Sequence, residues 1–401
     1  MKTMEATLPE PPRKRGLKLG RGGGSVIGHT GFNVARFHST HVVAALAPMG
    51  AGILFFGWRA LFAVGIVLGT VFVGTLFWRK IGIRGHILRP ALLIWLGTLL
   101  AVMLPASLAG SGHDHRPLWP LLPAAALLLV IWCWCALAPL IGRVHPVVAV
   151  YLLLAIGFHS DLAASGVLQR NRVVVGDLLS PNGETRTIAY PLAWRERPVL
   201  PGVNVLRRIS VPDALTRFTR NEPGRPDSVD ALLRDGLPPL EDLVLGATPG
   251  GIGTTSTVAI LIGGLLLIYR GLVDWRLPVL IAASCWIAVL LLPGHYSSEL
   301  ASRWVWIAGR KPDVGWARAV TLADYELLGT PLLFTAFFLA GSPFVRPLNK
   351  WSRSIFAVTT GFLAAIAQLY ISAALGSYIA VLLAGLLAPT FDRWFASRSL
   401  V

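Results

Sequence analysis

Apolar runs follow one another along this chain, near residues 42–57, 60–78, 91–109, 119–141, 146–162, 257–270, 277–293, 325–342, 354–372 and 375–390. Several approach the roughly twenty residues that a bilayer core requires of a helix. A soluble fold of this size leaves roughly a quarter of its chain's surface in water, so it has no place to hide so many runs. Composition agrees. Of 401 residues, 54% are hydrophobic and 14% charged, against about 25% charged in an average soluble domain. A soluble enzyme, a disordered chain and a disulfide-stapled secreted domain are excluded. The expectation is an all-α polytopic membrane protein of about ten transmembrane helices.

The net charge is +16, from 36 Lys and Arg against 20 Asp and Glu. On a soluble protein this would suggest nucleic acid. Here it is assigned to topology, because Lys and Arg collect in cytoplasmic loops, and no nucleic acid is expected. Residues 1–40 carry Arg13, Lys14, Arg15, Lys18 and Arg21, then Gly22-Gly23-Gly24. With no apolar stretch near the start, this is a flexible cytoplasmic tail rather than a cleaved signal peptide. With that end inside, the turns holding Arg79, Lys80, Arg84 and Arg89, then Arg143, then Arg270 and Arg276, then Arg346, Lys350 and Arg353, then Arg393 and Arg398 all fall on one side. Only Arg59 departs. An even number of spans in the cytoplasmic membrane, both termini cytoplasmic, satisfies the positive-inside rule.

The domain boundaries follow. Residues 41–162 form a first five-helix half, 163–256 an extracytoplasmic insert, 257–392 a second five-helix half, and 393–401 a cytoplasmic tail. The insert holds eleven Arg, ten acidic residues and no Lys. Long loops escape the charge rule. Arg172-Val-Val-Val-Gly176 is strand-like, and 226–235 starts as a short helix with Asp227 as its cap. A second outer loop, 295–323, carries Trp304, Trp306 and Trp316, residues suited to the membrane interface. Five spans on each side of the insert place the two halves in opposite senses, which permits an inverted repeat. The third span of each half is interrupted, by Leu104-Pro105-Ala106-Ser107 and by Gly329-Thr330-Pro331 with Gly341-Ser342-Pro343. Paired interruptions suit half-helices lining a central site, and ordinary kinked packing explains them as well.

The sharpest local feature is Gly246-Ala-Thr-Pro-Gly-Gly-Ile-Gly-Thr-Thr-Ser256, at the mouth of the sixth span. It lacks the Lys of a Walker A loop. A Gly-rich turn feeding a helix N-terminus presents N–H groups to an anion, such as a phosphate or the oxygens of a ribityl chain. A tight turn with a capped helix explains the same residues. No Ser/His/Asp triad or paired catalytic carboxylates stand out, so a stand-alone enzyme has little support.

The stretch Asp242-Leu-Val-Leu-Gly-Ala-Thr-Pro-Gly-Gly-Ile-Gly-Thr-Thr-Ser256 resembles the LGNxPGSIGETS signature of one family. That family joins the D subunit of the Rnf electron-transport complex to the B subunit of the sodium-translocating NADH:quinone oxidoreductase. The similarity continues through 261–278, with Gly263-Gly264, a basic turn and Trp275 ahead of Pro278. Phe55-Phe-Gly-Trp58, Leu100-Ala-Val-Met-Leu-Pro105, Gly142-Arg-Val-His-Pro146 (a shortened NPFNP) and Ala384-Gly-Leu-Leu-Ala-Pro-Thr-Phe-Asp392 add to it. The resemblance implies a ten-helix fold and a flavin mononucleotide held on a Thr of an SGAT-like motif. Riboflavin accompanies it in the quinone-reducing branch. It also implies electron transfer coupled to Na⁺ or H⁺ movement, other membrane subunits as partners, and quinone as a candidate acceptor.

The sequence departs from that pattern at informative places. Within and just after Ile209-Ser-Val-Pro-Asp-Ala-Leu-Thr-Arg-Phe218, one register puts Asp213 at the attachment position, where a carboxylate would repel the phosphate. The other puts Thr219 there, with Arg217 and Phe218 in place of the small Gly-Ala pair. Thr254 replaces the Glu of GSIGETS, and Ser342 replaces the Asp of the family's TDP element. Loss of both acids weakens cation coordination. The resemblance therefore points to a non-covalent flavin contacted by Gly250, Gly251, Gly253, Thr254, Thr255 and Ser256, with Thr219 or Asp213 marking the degenerate attachment site. A fold that has lost its flavin, as a transporter or scaffold, is the competing reading. Weaker candidates are His113-Asp114-His115 as a metal site short of a fourth ligand, and Cys133 and Cys135, which point to different helix faces. Cys285 lies in another apolar run. Gln368 and Tyr370 are set for interhelical hydrogen bonds.

Overall fold

The computed structural model describes residues 34–81, 90–109, 117–134, 144–158, 162, 240–246, 250–297, 302–306, 316–372 and 374–396. Among these, α1 (Val34–Phe56) and α2 (Trp58–Ile81) are joined at Gly57, whose φ of 68° supplies the left-handed residue that ends a helix. Then come α3 (Pro90–Met103) with a 3-10 turn at Ala106–Ala109, α4 (Leu121–Trp134) and α5 (Pro146–Gly157). After α6 (Leu240–Leu245) follow α7 (Thr257–Tyr269) and α8 (Arg276–Leu291), then strands β1 (Pro293–Ser297) and β2 (Ser302–Trp306). The second half closes with α9 (Trp316–Leu328), a turn at Leu332–Phe334 that runs into a π-helical turn at Thr335–Leu339, α10 (Lys350–Tyr370) and α11 (Gly376–Ala396).

Among the described residues, four helices are long and apolar enough to cross a bilayer: α1, α2, α10 and α11. A fifth candidate is α9 with its continuation, bent by 60° at the break. Five shorter apolar helices, α3, α4, α5, α7 and α8, complete the set. The described chain is thus a helical, polytopic membrane protein. A helix of 12 or 13 residues, such as α5 or α7, spans only about 18–20 Å. That falls short of a hydrocarbon core of about 30 Å, so the ends of the short helices depend on other protein groups for their hydrogen bonds.

Packing joins the elements in two similar series. Helix α2 packs on α3 and α4, and α4 on α5; α8 packs on α9 and α10, and α10 on α11. Helix α1 packs on α3 and on α7, which links the two series. The buried core is continuous through both and includes Trp95, Leu96, Leu99, Phe334, Phe338, Phe356 and Tyr378. At one end of the bundle the basic turns are tied down. Arg346 donates to the Leu272 carbonyl at 2.9 Å, and Arg353 donates to those of Pro347 and Leu348. The Asp392 carboxylate accepts from the Leu348 N–H at 3.1 Å.

Two features differ from the sequence expectation. The first helix already includes Val34, ahead of its apolar run, and its Phe37, His38 and His41 pack against Trp95 of α3. The segment after α8 forms a short antiparallel strand pair, with Trp304 opposite His295 and Trp306 opposite Pro293, so the described residues are not purely helical. The eighth apolar run divides at Gly329-Thr330-Pro331, as the sequence suggested, where Pro331 brings no N–H to continue the helix. The basic tail, the strand-like 172–176, the helix start at 226–235, Asp213, Thr219, His113-Asp114-His115 and Cys135 lie outside the described residues.

Candidate functional site

The Gly-rich turn and the break in α3 are two halves of one junction. Helix α3 stops at Met103 before Pro105, and its last carbonyls have no following helical turn to donate to them. Pro105 forms an antiparallel bridge with Gly251. The Ile252 N–H donates to the Leu104 carbonyl at 3.0 Å, and the Gly253 N–H to that of Val102 at 2.9 Å. In lipid, where each unsatisfied backbone group costs several kcal/mol, this clasp satisfies an interrupted helix end and an irregular turn together.

The glycines permit the close approach. Gly246 has a φ of 97°, and a Cβ there would lie 2.6 Å from Ser256 Cα. A Cβ on Gly251 would lie 2.6 Å from the Met103 carbonyl oxygen, and one on Gly253 would lie 2.5 Å from a Val102 methyl and 3.0 Å from the Pro48 carbonyl carbon. One on Gly250 would lie 2.5 Å from the Thr255 methyl. Gly52 of α1 meets the Ile252 carbonyl from the other side. The turn is therefore wedged between α1 and α3, with Ile252 fully buried.

Its polar groups are mostly occupied. The Thr254 N–H donates to the Gly251 carbonyl at 3.2 Å, as its hydroxyl does at 3.4 Å. Ser256 is the N-cap of α7, its Oγ accepting from the Ala259 N–H at 3.3 Å. The Thr255 hydroxyl is different: it is buried and has no hydrogen-bond partner among the described residues. The Ser107 hydroxyl, in the 3-10 turn just after the break, is in the same condition.

Of the residues picked from sequence, Gly250, Gly251, Gly253, Thr254, Thr255 and Ser256 thus come together in one buried turn. The N–H groups of Ile252, Gly253 and Thr254 point to protein carbonyls, so an anion has no open cradle there. The Thr255 hydroxyl is the side-chain polar group of this turn left without a hydrogen-bond partner among the described residues.

Sequence reasoning found the turn and its cap but not its partner. The Val102 and Leu104 carbonyls lie far upstream in the chain, and nothing local announces the pairing. His145 was missed as well. It precedes α5, is fully buried, has neither ring nitrogen hydrogen-bonded among the described residues, and meets the Phe344 ring edge-on at 5.4 Å between centroids. Burial pulls its pKa down to about 3. Among the described residues no group of three or more His, Cys, Asp or Glu is arranged for a metal ion. Gln368 holds the Thr330 hydroxyl at 3.1 Å and faces the Cys285 thiol at 3.6 Å, which makes it an interhelical hydrogen-bonding residue.

A family model described as the NQR2, RnfD, RnfE family matches residues 188–400. Among similar proteins is the D subunit of an ion-translocating oxidoreductase complex from Halorhodospira halophila, 26% identical over 180 residues, which are 45% of this chain and 44% of that protein. The D subunit of a Na⁺-translocating ferredoxin:NAD⁺ oxidoreductase complex from Acetobacterium woodii is 28% identical over 174 residues, 42% of this chain and 46% of that one. The B subunit of a Na⁺-translocating NADH-quinone reductase from Chlamydia felis is 29% identical over 158 residues, 39% and 30% of the two. The matched stretch spans less than half the length of each of these relatives.

Proposed function

The chain belongs to the NQR2, RnfD, RnfE family, and from that premise we propose that it is the flavin-holding membrane subunit of an Rnf-like redox complex. It sits in the cytoplasmic membrane with both termini inside, its ten apolar helices arranged as two five-helix halves. Its partners are the other membrane subunits of the complex, with quinone a candidate acceptor. A flavin, when bound, supplies one- and two-electron redox chemistry, while the protein supplies position and electrostatics.

The observation that carries this reading is the buried Thr255 hydroxyl. A buried hydroxyl left without a partner costs about 1–3 kcal/mol, and a polar ligand edge placed against Thr255 removes that cost. Thr254 and Ser256 shape the same edge, and Ser256 also caps α7. Gly251 and Gly253 act beneath them by letting the turn close on α3. Thr219, or Asp213 in the other register, marks the degenerate attachment site.

A second reading has its own support: the N–H groups of Ile252, Gly253 and Thr254 all donate to protein carbonyls. A scaffold or transporter that keeps the fold and holds no flavin would look the same at those three positions. The Thr255→Val variant separates the two. It keeps the shape and removes the hydroxyl. Under the flavin reading, detergent-purified Thr255→Val carries less flavin per chain than wild type at equal expression. Equal flavin in both overturns Thr255 as a contact.

A further inference from the structure

Buried polar groups gather at a second place, where α8, α9 and α10 meet. Glu326 lies in the last turn of α9, just ahead of the break, and is only 3% exposed. Thr330, Gln368 and Cys285 are buried beside it. They form a directed chain. The Cys285 thiol donates to Gln368 Oε1 at 3.6 Å, Gln368 Nε2 donates to Thr330 Oγ1 at 3.1 Å, and Thr330 Oγ1 donates to the Glu326 carbonyl at 3.0 Å. The Glu326 carboxyl is within electrostatic reach of Cys285.

Carboxylates inside membrane helices are rare and expensive, and they concentrate where protons or ions move. Two structural facts sharpen the case here. The helix is broken immediately after Glu326, at Gly329-Thr330-Pro331, and resumes through a π-helical turn; such turns recur at functional sites. The surrounding set is poor in ligands for a metal cation: one carboxyl, one hydroxyl, one amide and one thiol, with the amide oxygen facing the thiol. A hard cation prefers six or more oxygens. A proton needs only the carboxyl and a polar surround.

We propose that Glu326 is an intramembrane proton-binding site, supported by the Cys285–Gln368–Thr330 chain, that takes up and releases one proton at the break in α9. The carboxylate gains the proton as a neutral acid and returns it; no bond to carbon changes. Other titratable groups lie near it among the described residues. Asp324, on the same helix, accepts from Trp286 Nε1 of α8 at 2.9 Å, Tyr325 is buried beside it, and α6, which packs on α9, contributes the exposed Glu241. Gln368 is a positioning residue in this account, because it holds Thr330 against the helix break.

The proposal goes beyond the flavin reading and is tested without it. The probe is dicyclohexylcarbodiimide, an apolar reagent that attacks protonated carboxyls in lipid. The full chain in membranes is treated across a pH series, with and without Na⁺, and modified peptides are identified by mass spectrometry. The expected result is adduct on Glu326 that falls about tenfold per pH unit above the carboxyl's midpoint and does not change with Na⁺. Glu326→Asp keeps a pH-dependent adduct, Glu326→Gln loses it, and Gln368→Leu moves the midpoint. Absence of adduct on Glu326 in folded wild-type protein at every pH overturns the proposal, and this arm needs no variant to fold. Protection by Na⁺ at constant pH overturns it in favour of a cation site. Neither outcome bears on flavin content.

Discussion

A methyl group at Gly253 has nowhere to go, with a Val102 side chain and the Pro48 backbone both inside contact distance. Gly69, in the middle of α2, has open space around the same position. The two therefore respond oppositely to alanine. Gly253→Ala should destabilise by about 1–3 kcal/mol, the usual cost of overpacking. Gly69→Ala should be neutral or stabilising by up to about 1 kcal/mol, the helix-propensity difference. Thermal unfolding in detergent measures both. Equal behaviour of the pair would mean that the clasp between the turn and α3 is not formed.

His145 makes the second prediction at this scale. Its pKa lies at about 3 in the folded chain, against 6.5 for an ordinary imidazole, because burial disfavours the charged ring. Between those values the unfolded chain binds a proton that the folded chain does not, so stability falls as pH drops. The melting temperature should decline below pH 6.5, and His145→Phe should flatten that decline. An unchanged slope in the variant would remove His145 as the cause. At the residue scale the sequence was informative about type and silent about partners. Ser256 was legible as a cap because capping is local, whereas the isolation of the Thr255 hydroxyl depends on what packs over it.

Among elements, glycine pairs set how closely helices approach. Gly263 and Gly264 let α7 lie against the Ala44 backbone of α1 and against Phe337 in the π-helical turn. Gly361 does the same for α10 against Ile281 and Ser284 of α8. Small residues are the usual means of helix association in lipid, where no hydrophobic force draws helices together. Gly264→Leu should push α7 from the π-helical turn. It should shift the protein to aggregate in fluorescence-detected size exclusion, while Gly65→Leu, at an open position of α2, leaves the profile intact. Both interruptions were legible, since Pro and Gly within an apolar run have few other readings. The bridge between Pro105 and Gly251 was not, because backbone pairing carries no side-chain signature. Glu326, at the edge of the run 325–342, went unread, because its neighbours Cys285 and Gln368 come from distant spans. The strand pair β1 and β2 escaped because its tryptophans suit a membrane interface and a strand equally.

For the whole molecule, the scarcity of charge and the recurrence of apolar runs were enough to read a polytopic helical membrane protein, because lipid leaves a chain few alternatives. The way the series α2–α4–α5 and α8–α10–α11 pack, and the meeting of α1 with α7, required the structure. The match to the family over 188–400 covers the second series and part of the insert, and the clasp extends that matched segment to α3 of the first. The central claim is that this chain holds a flavin at the hydroxyl edge of that clasp. The direct measurement is the absorbance spectrum of the detergent-purified chain, co-expressed with its partner subunits, followed by in-gel fluorescence after denaturation. Flavin absorbance in the folded protein, with release of the flavin on denaturation, is the predicted result. Fluorescence that stays with the denatured band contradicts the turn as the site and moves it to Thr219. Absence of flavin contradicts the claim itself and leaves the chain a scaffold or transporter.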